Sequence, residues 1–240
     1  FPAVYEMLTN MKIRLDAIRS LLYETTRFVD ISKVYEEVMR DRKLEKEERM
    51  EMKYYMKLAN VFTPLIKMTA SEACNKMAYD SLQIHGGTGF MKDFPIERIY
   101  RDARITSIYE GTTQLQTIAA IKGVTTNVFL EQIKVYESEV LEGNEELKKE
   151  LQKMTQEYEN IINKVEEIEN KEYLDFHSRR LVEMAGNIIM GYLLIINGQR
   201  ENKFLKSAKL FIDLIRSENT EKFNYINNFK IENLELYKLK

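Results

Sequence analysis

A chain of 240 residues is long enough to bury a sizeable core in one or two domains. Lys plus Arg (36) nearly balance Asp plus Glu (38), and the net charge of −2 gives no reason to expect a nucleic-acid partner. One cysteine, Cys74, excludes an internal disulfide and fits a reducing compartment, which points to a cytoplasmic protein.

Taken in order, Phe1 to about Arg40 reads as helix. Val4, Leu8, Met11, Leu15, Ile18 and Leu22 make an apolar stripe spaced alternately four and three apart. Pro2 suits a first helical turn. The run DRKLEKEERM, Asp41 to Met50, reads as a solvated connection or frayed helix end. Glu51 to Gln83 reads as a second long helix, with a kink or break expected at Pro64. Lys67, within a turn of that proline, reads as a surface residue.

The stretch from Gln83 to Gln116 is different. It holds Gly86, Gly87, Gly89 and Gly111, four of the nine glycines in the chain. Glycine suits backbone that needs positive φ or must lie against a ligand. Gly86-Gly87 reads as a helix stop, Thr88 to Phe94 as a turn, and Pro95 as the first turn of a short helix. On that helix Glu97/Arg101 and Arg98/Asp102 have ion-pair spacing. Thr113 and Gln116 have capping-box spacing. Glu110 is then a carboxylate on a loop before a helix N-terminus, where it complements the dipole. Beside flexible Gly111 it could serve as a general base. The plainer readings are a glycine C-cap, a dipole-complementing surface Glu, and solvated arginines at 98, 101 and 104. A Rossmann reading fails: Gly87-Thr88-Gly89 lacks the third glycine and follows a helix.

A helix is expected from about Thr113 to Lys122, resuming after Gly123 with a stripe of Phe129, Ile133, Tyr136 and Val140. Gly143-Asn144 marks a turn. Leu147, Leu151, Met154, Tyr158, Ile161, Val165 and Ile168 form a heptad seam, and Leu181, Ala185, Ile188, Tyr192 and Ile195 form another. They read as an antiparallel hairpin, with a turn at Asn170-Lys171 and Asn197-Gly198 closing the second arm. A further helix is expected over Lys203 to Arg216, and a short-helical or irregular tail after Glu218. No strand-like alternation stands out, so the fold class is all-α. The apolar run Ile188 to Ile196 is far short of the roughly 20 residues that span a bilayer. There is no P-loop and no HExxH. His85 and His177 lack Cys partners, so no metal site is expected. His177 reads as a helix-surface residue.

Three motifs then coincide: Q-x-x-G-G from Gln83, R-D-A-R from Arg101 and I-Y-E-G-T from Ile108. In this order and spacing they resemble the C-terminal signature of the acyl-CoA dehydrogenases. FPAVYEMLTNMKIRLDAIRSLLY and FTPLIK resemble a long bacterial subgroup with extra C-terminal helices. The resemblance covers roughly the first half of the chain. It implies a four-helix bundle over residues 1–124, a helical extension over 125–240, and a longer parent protein.

The resemblance also implies roles. Glu110 would take the α-proton of an acyl-CoA thioester, and its N–H would polarise the thioester carbonyl. Gly111 would border the substrate. Thr112, Thr113 and Gln114 would touch FAD at a helix N-terminus. Gln83, Ile84, His85, Gly86 and Gly87 would contact the FAD of a neighbouring subunit. The expected partners are acyl-CoA, further copies of the chain in a dimer or tetramer, and electron-transfer flavoprotein as acceptor. The runner-up is a non-catalytic helical oligomerisation module derived from that family.

Overall fold

Helical periodicity without strand alternation leads to an all-α protein. The computed structural model describes residues 1–238, and the regular elements among them are helices. They gather into two compact units, Phe1–Ala120 and the chain from Ile121 onward.

In the first unit α1 (Pro2–Asp41) and α2 (Lys46–Phe90) are long, and α3 (Ile96–Ile105) and the start of α4 (Thr113–Thr125) complete a bundle. The buried face of α1 is Ile13, Ala17, Leu21 and Phe28. The stripe read from the sequence lies largely outside: Leu8, Leu15 and Leu22 are 50, 42 and 43% exposed. The inner face passed for polar because it carries Asp16, Ser20, Thr25 and Ser32. The Ser20 and Thr25 hydroxyls donate to Asp16 O (2.9 Å) and Leu21 O (2.7 Å) on their own helix. Such local bonds let small polar residues be buried at little cost. Phe28 meets the Phe62 ring edge-on at 5.0 Å.

The charge run is mostly structured. Only Arg42 to Glu45 connects the helices, with Leu44 buried as an anchor. Glu45 and Glu48 form a reciprocal capping box at the start of α2. The Arg42 guanidinium grips Glu48 with two bonds of 2.7 and 2.6 Å. That contact, with the Glu45 N–H, holds the Glu48 carboxyl down at about 2. No break occurs at Pro64, where backbone angles stay helical. The one non-helical residue inside α2 is Gly86. The carbonyl of Asn60, which a residue-64 N–H would otherwise have met, belongs to an exposed residue.

In the second unit α5 (Val128–Ser138), α6 (Glu145–Glu167), α7 (Lys171–Arg200) and α8 (Lys203–Asn228) pack together, with a 3-10 turn at Ile231–Asn233 and α9 (Leu234–Tyr237) after them. Both heptad seams are in the core: Leu151, Met154, Tyr158, Ile161 and Val165 on α6, and Leu181 to Ile195 on α7. Three boundaries differ from expectation. Gly123 stays inside α4, because Phe129 fills the space a Cβ would need. The turn falls later, at Asn127 (φ 57°). Gly198 likewise stays inside α7, pressed by Leu205. Finally, α8 continues to Asn228 instead of ending near Arg216, because Asn219 and Ile226 still face the core. By length and composition α7 could cross a bilayer, but 89% of its apolar window is buried within the fold, so it serves as a core helix.

His177 is fully buried, not on the surface. Tyr173, Phe176 and Phe229 put ring centroids 4.5 to 5.0 Å from its imidazole. Neither ring nitrogen has a hydrogen-bond partner among the described residues. Tyr173 and Phe176 come from its own helix, and Phe229, just after α8, closes over it from a part of the chain distant in sequence. Burial, and then the Arg180 charge, push its pKa down to about 4. The unfolded chain therefore takes the proton first, with a pKa near 6.5. The stability of the neutral ring is complete above about pH 6.5 and falls as pH drops toward 4, by at most about 1.4 kcal/mol per unit. His177→Phe should flatten that fall. Thermal melts at pH 7.5 and 5.0 check this: the midpoint should drop more for the wild type than for the variant.

Candidate functional site

The site is built where α2 ends, α3 returns and α4 begins. Gly86 sits at φ 64°, ψ −150°, a region open essentially only to glycine. A Cβ placed on Gly86 or Gly87 would meet nothing within 4 Å. The fold thus leaves open space over this backbone. Gln83 and His85 are exposed and Ile84 is half-buried. His85 Nδ1–H donates to Ser81 O at 2.7 Å, and its ring lies 5.6 Å from that of Phe94.

From Thr106 the chain leaves α3 through a tight turn. Ile108 and Tyr109 N–H donate back to Ile105 O at 2.9 and 3.0 Å, and Thr113 N–H closes onto Ser107 O at 3.2 Å. Arg104 reaches Ser107 Oγ, steadying the same turn. This geometry drives two successive residues to positive φ: Glu110 at 53° and Gly111 at 95°. A glutamate there is uncommon and costs free energy that the surroundings must offset. Gln116 supplies part of the offset, its Nε2 donating to Glu110 O at 3.0 Å. The Glu110 side chain is exposed and has no hydrogen-bond or ion-pair partner among the described residues.

The start of α4 differs by one residue from the expected capping box. Thr112 is the cap: its Oγ1 accepts from Leu115 N–H at 3.4 Å, and its carbonyl takes the first helical bond, from Gln116 N–H at 3.0 Å. Thr113 is buried, and its hydroxyl donates to Glu72 Oε1 at 2.6 Å. Gln114 is exposed. The spaced pairs on α3 do not form as read. Arg101 instead approaches Asp102 at 3.9 Å.

Within the site, Lys67 is the residue whose sequence reading needs the largest correction. It is half-buried, donates to Thr106 O at 2.5 Å and stands 4.2 Å from the Tyr109 ring centroid. Nothing local marked it, because both partners come from the far side of the α3 excursion. The turn thus brings Glu110, Gly111 and Thr112 together with Lys67 and Gln116, while Glu72 anchors Thr113.

A family model described as "Acyl-CoA dehydrogenase, C-terminal domain" matches residues 1–125. The chain belongs to the acyl-CoA dehydrogenase family. A second model, "Acyl-CoA dehydrogenase C terminal", matches residues 125–234. An acyl-CoA dehydrogenase of Bacillus subtilis is 50% identical over 58 residues, which is 24% of this chain and 15% of that protein. The caffeyl-CoA reductase-Etf complex subunit CarC of Acetobacterium woodii is 33% identical over 116 residues, 48% of this chain and 24% of that protein. The chain thus spans a quarter or less of these relatives' length. Among solved structures, ACDH-11 of Caenorhabditis elegans in complex with C11-CoA superposes with a TM-score of 0.72 at 20% identity, covering 88% of this chain and 36% of that one. An acyl-CoA dehydrogenase of Bacillus anthracis complexed with FAD gives 0.68 at 22% identity, covering 94% and 42%. At those identities the likeness is one of fold.

Gly111 should not tolerate a side chain. At φ 95° an alanine is strained, and its Cβ would stand 2.8 Å from Gln116 Nε2, displacing the amide from Glu110 O. Gly111→Ala should cost about 1–3 kcal/mol of local stability. Hydrogen exchange checks it: amides from 106 to 113 should lose protection in Gly111→Ala, and to a smaller degree in Gln116→Ala.

Proposed function

We propose that this chain is the C-terminal, base-bearing part of a longer FAD-dependent acyl-CoA dehydrogenase, with residues 1–124 as the bundle and 125–240 as its helical extension. The observation that carries the reading is Glu110, held at positive φ between two tethers with its carboxylate free. A base that must reach a substrate Cα–H needs an unpaired carboxylate on a fixed backbone. Glu110 takes the α-proton of the acyl thioester. Its backbone N–H, which has no acceptor among the described residues, faces the thioester carbonyl and stabilises the charge that develops there. Gly111 borders the substrate.

The residues present fit part of an FAD site. The open backbone at Gly86 and Gly87, with Gln83, Ile84 and His85 before it, allows close approach by a large planar or phosphate-bearing group. Thr112, Thr113 and Gln114 supply the N-terminus of α4, where unpaired N–H groups favour anions. At Thr113 the hydroxyl is committed to Glu72 and the N–H to Ser107 O, so the N–H groups open to an anion are those of Thr112 and Gln114. When bound, FAD supplies the acceptor for the β-hydrogen and its electron pair. The exposed stripe of Leu8, Leu15 and Leu22 supports a homo-oligomer or a contact with further domains. The Etf complex in the name of one relative supports electron-transfer flavoprotein as the acceptor.

Glu110→Gln in the full-length enzyme should retain FAD and lose turnover by about 10²–10⁴-fold. Assay with butyryl-, octanoyl- and palmitoyl-CoA checks it; wild-type rates in the variant would place the base elsewhere. The 240-residue chain purified alone should be helical and colourless, because it holds only part of the flavin site. A visible spectrum with near-equimolar bound flavin would contradict that.

A further inference from the structure

Lys67 occupies an unusual setting for a lysine on a long helix. Its ammonium has no carboxylate partner among the described residues; its contacts are a carbonyl oxygen and a ring face. Holding a half-buried lysine in one geometry costs side-chain entropy and hydration. Those two contacts fall on Thr106 and Tyr109, the first residue of the turn and the one immediately before Glu110. On the other side, Gln116 holds Glu110 O. The strained residue is therefore clamped from both sides, by α2 through Lys67 and by α4 through Gln116. Backbone strain of this kind persists only where the surroundings over-determine it.

We propose that Lys67 is the positioning residue that sets the Glu110 carboxylate for proton abstraction. The proposal rests on Glu110 being the base. Lys67 acts by fixing Thr106 O and the Tyr109 ring, so that the turn delivers Glu110 at one distance from the substrate Cα. A displacement near 1 Å at such a position costs on the order of 10²-fold in rate. Arginine can still donate to the carbonyl and lie over the ring, whereas methionine keeps the apolar stem and loses both contacts.

The test uses the full-length flavoenzyme and anaerobic single-turnover bleaching of FAD by the fastest of butyryl-, octanoyl- and palmitoyl-CoA. K67M should slow flavin reduction at saturating acyl-CoA by ~10–100-fold. FAD content and melting temperature should be kept, and the half-saturating concentration should move less than about threefold. K67R should recover most of the rate. If K67M reduces its flavin within about twofold of wild type while E110Q does not, Lys67 has no positioning role and Glu110 stands. If E110Q is as fast as wild type, the base reading itself fails and takes this proposal with it. K67Q is the second variant. Loss of FAD or of the fold in both K67M and K67Q would make the lysine a structural tether and overturn the proposal.

Discussion

A glutamate at φ 53° followed by a glycine at φ 95° is the constraint on which the first unit turns. Left alone, this pair would relax into ordinary backbone, and Glu110 would swing away with it. The turn cannot relax, because its ends are spoken for. Thr113 N–H is bound to Ser107 O, and Thr113 Oγ1 to Glu72. Each bond has a modest net worth of about 1 kcal/mol. Together with the contacts of Lys67 and Gln116 they hold a local strain of similar size.

Why α2 should be so long follows from that arrangement. One helix carries Lys67 and Glu72 in its middle and the open Gly86-Gly87 backbone near its end. A continuous helix fixes the spacing between these groups at 1.5 Å per residue. A break at Pro64 would not disturb that ruler, since Pro64 precedes all of them. A break between Glu72 and Gln83 would. There the sequence keeps strong helix formers, including Ala73, Lys76, Met77, Ala78 and Leu82.

Motifs with special backbone needs were legible in the sequence. Gly86, Gly111 and Glu110 could be singled out because glycine, or an acid beside it, at a turn is a local signal. The heptad seams of α6 and α7 were legible for the same reason: period alone fixes their inner faces. What could not be read depended on partners distant in sequence. Lys67 looks like any helix lysine until Thr106 and Tyr109 arrive across α3. His177 looks exposed until Phe229 covers it. Gly123 and Gly198 look like helix ends because glycine usually is one, yet each is there to admit a large side chain. On α1 the apolar stripe was real, but it is not the stripe that packs in this unit. Ser20 and Thr25 satisfy their own hydroxyls and so hide the true inner face from a hydropathy reading.

The second unit shows what decides register when apolar seams alone do not. Leu, Ile and Met repeat so evenly along α7 that a shift of α8 by one turn would still bury apolar surface. Asn187 and Asn219 remove that freedom. Both are buried; Asn187 Nδ2 donates to Asn219 Oδ1 at 2.9 Å, and Asn219 Nδ2 donates to Met184 O at 3.3 Å. Slipping the pair would leave amides unsatisfied in the core, at about 1–3 kcal/mol for each group. Buried polar pairs fix register in coiled coils by the same logic. Tyr158 OH and His177 have no such partner among the described residues, so they add cost without adding register. The unit tolerates them because the surrounding rings and the α6–α7 seam bury enough apolar surface to hold the helices without their help.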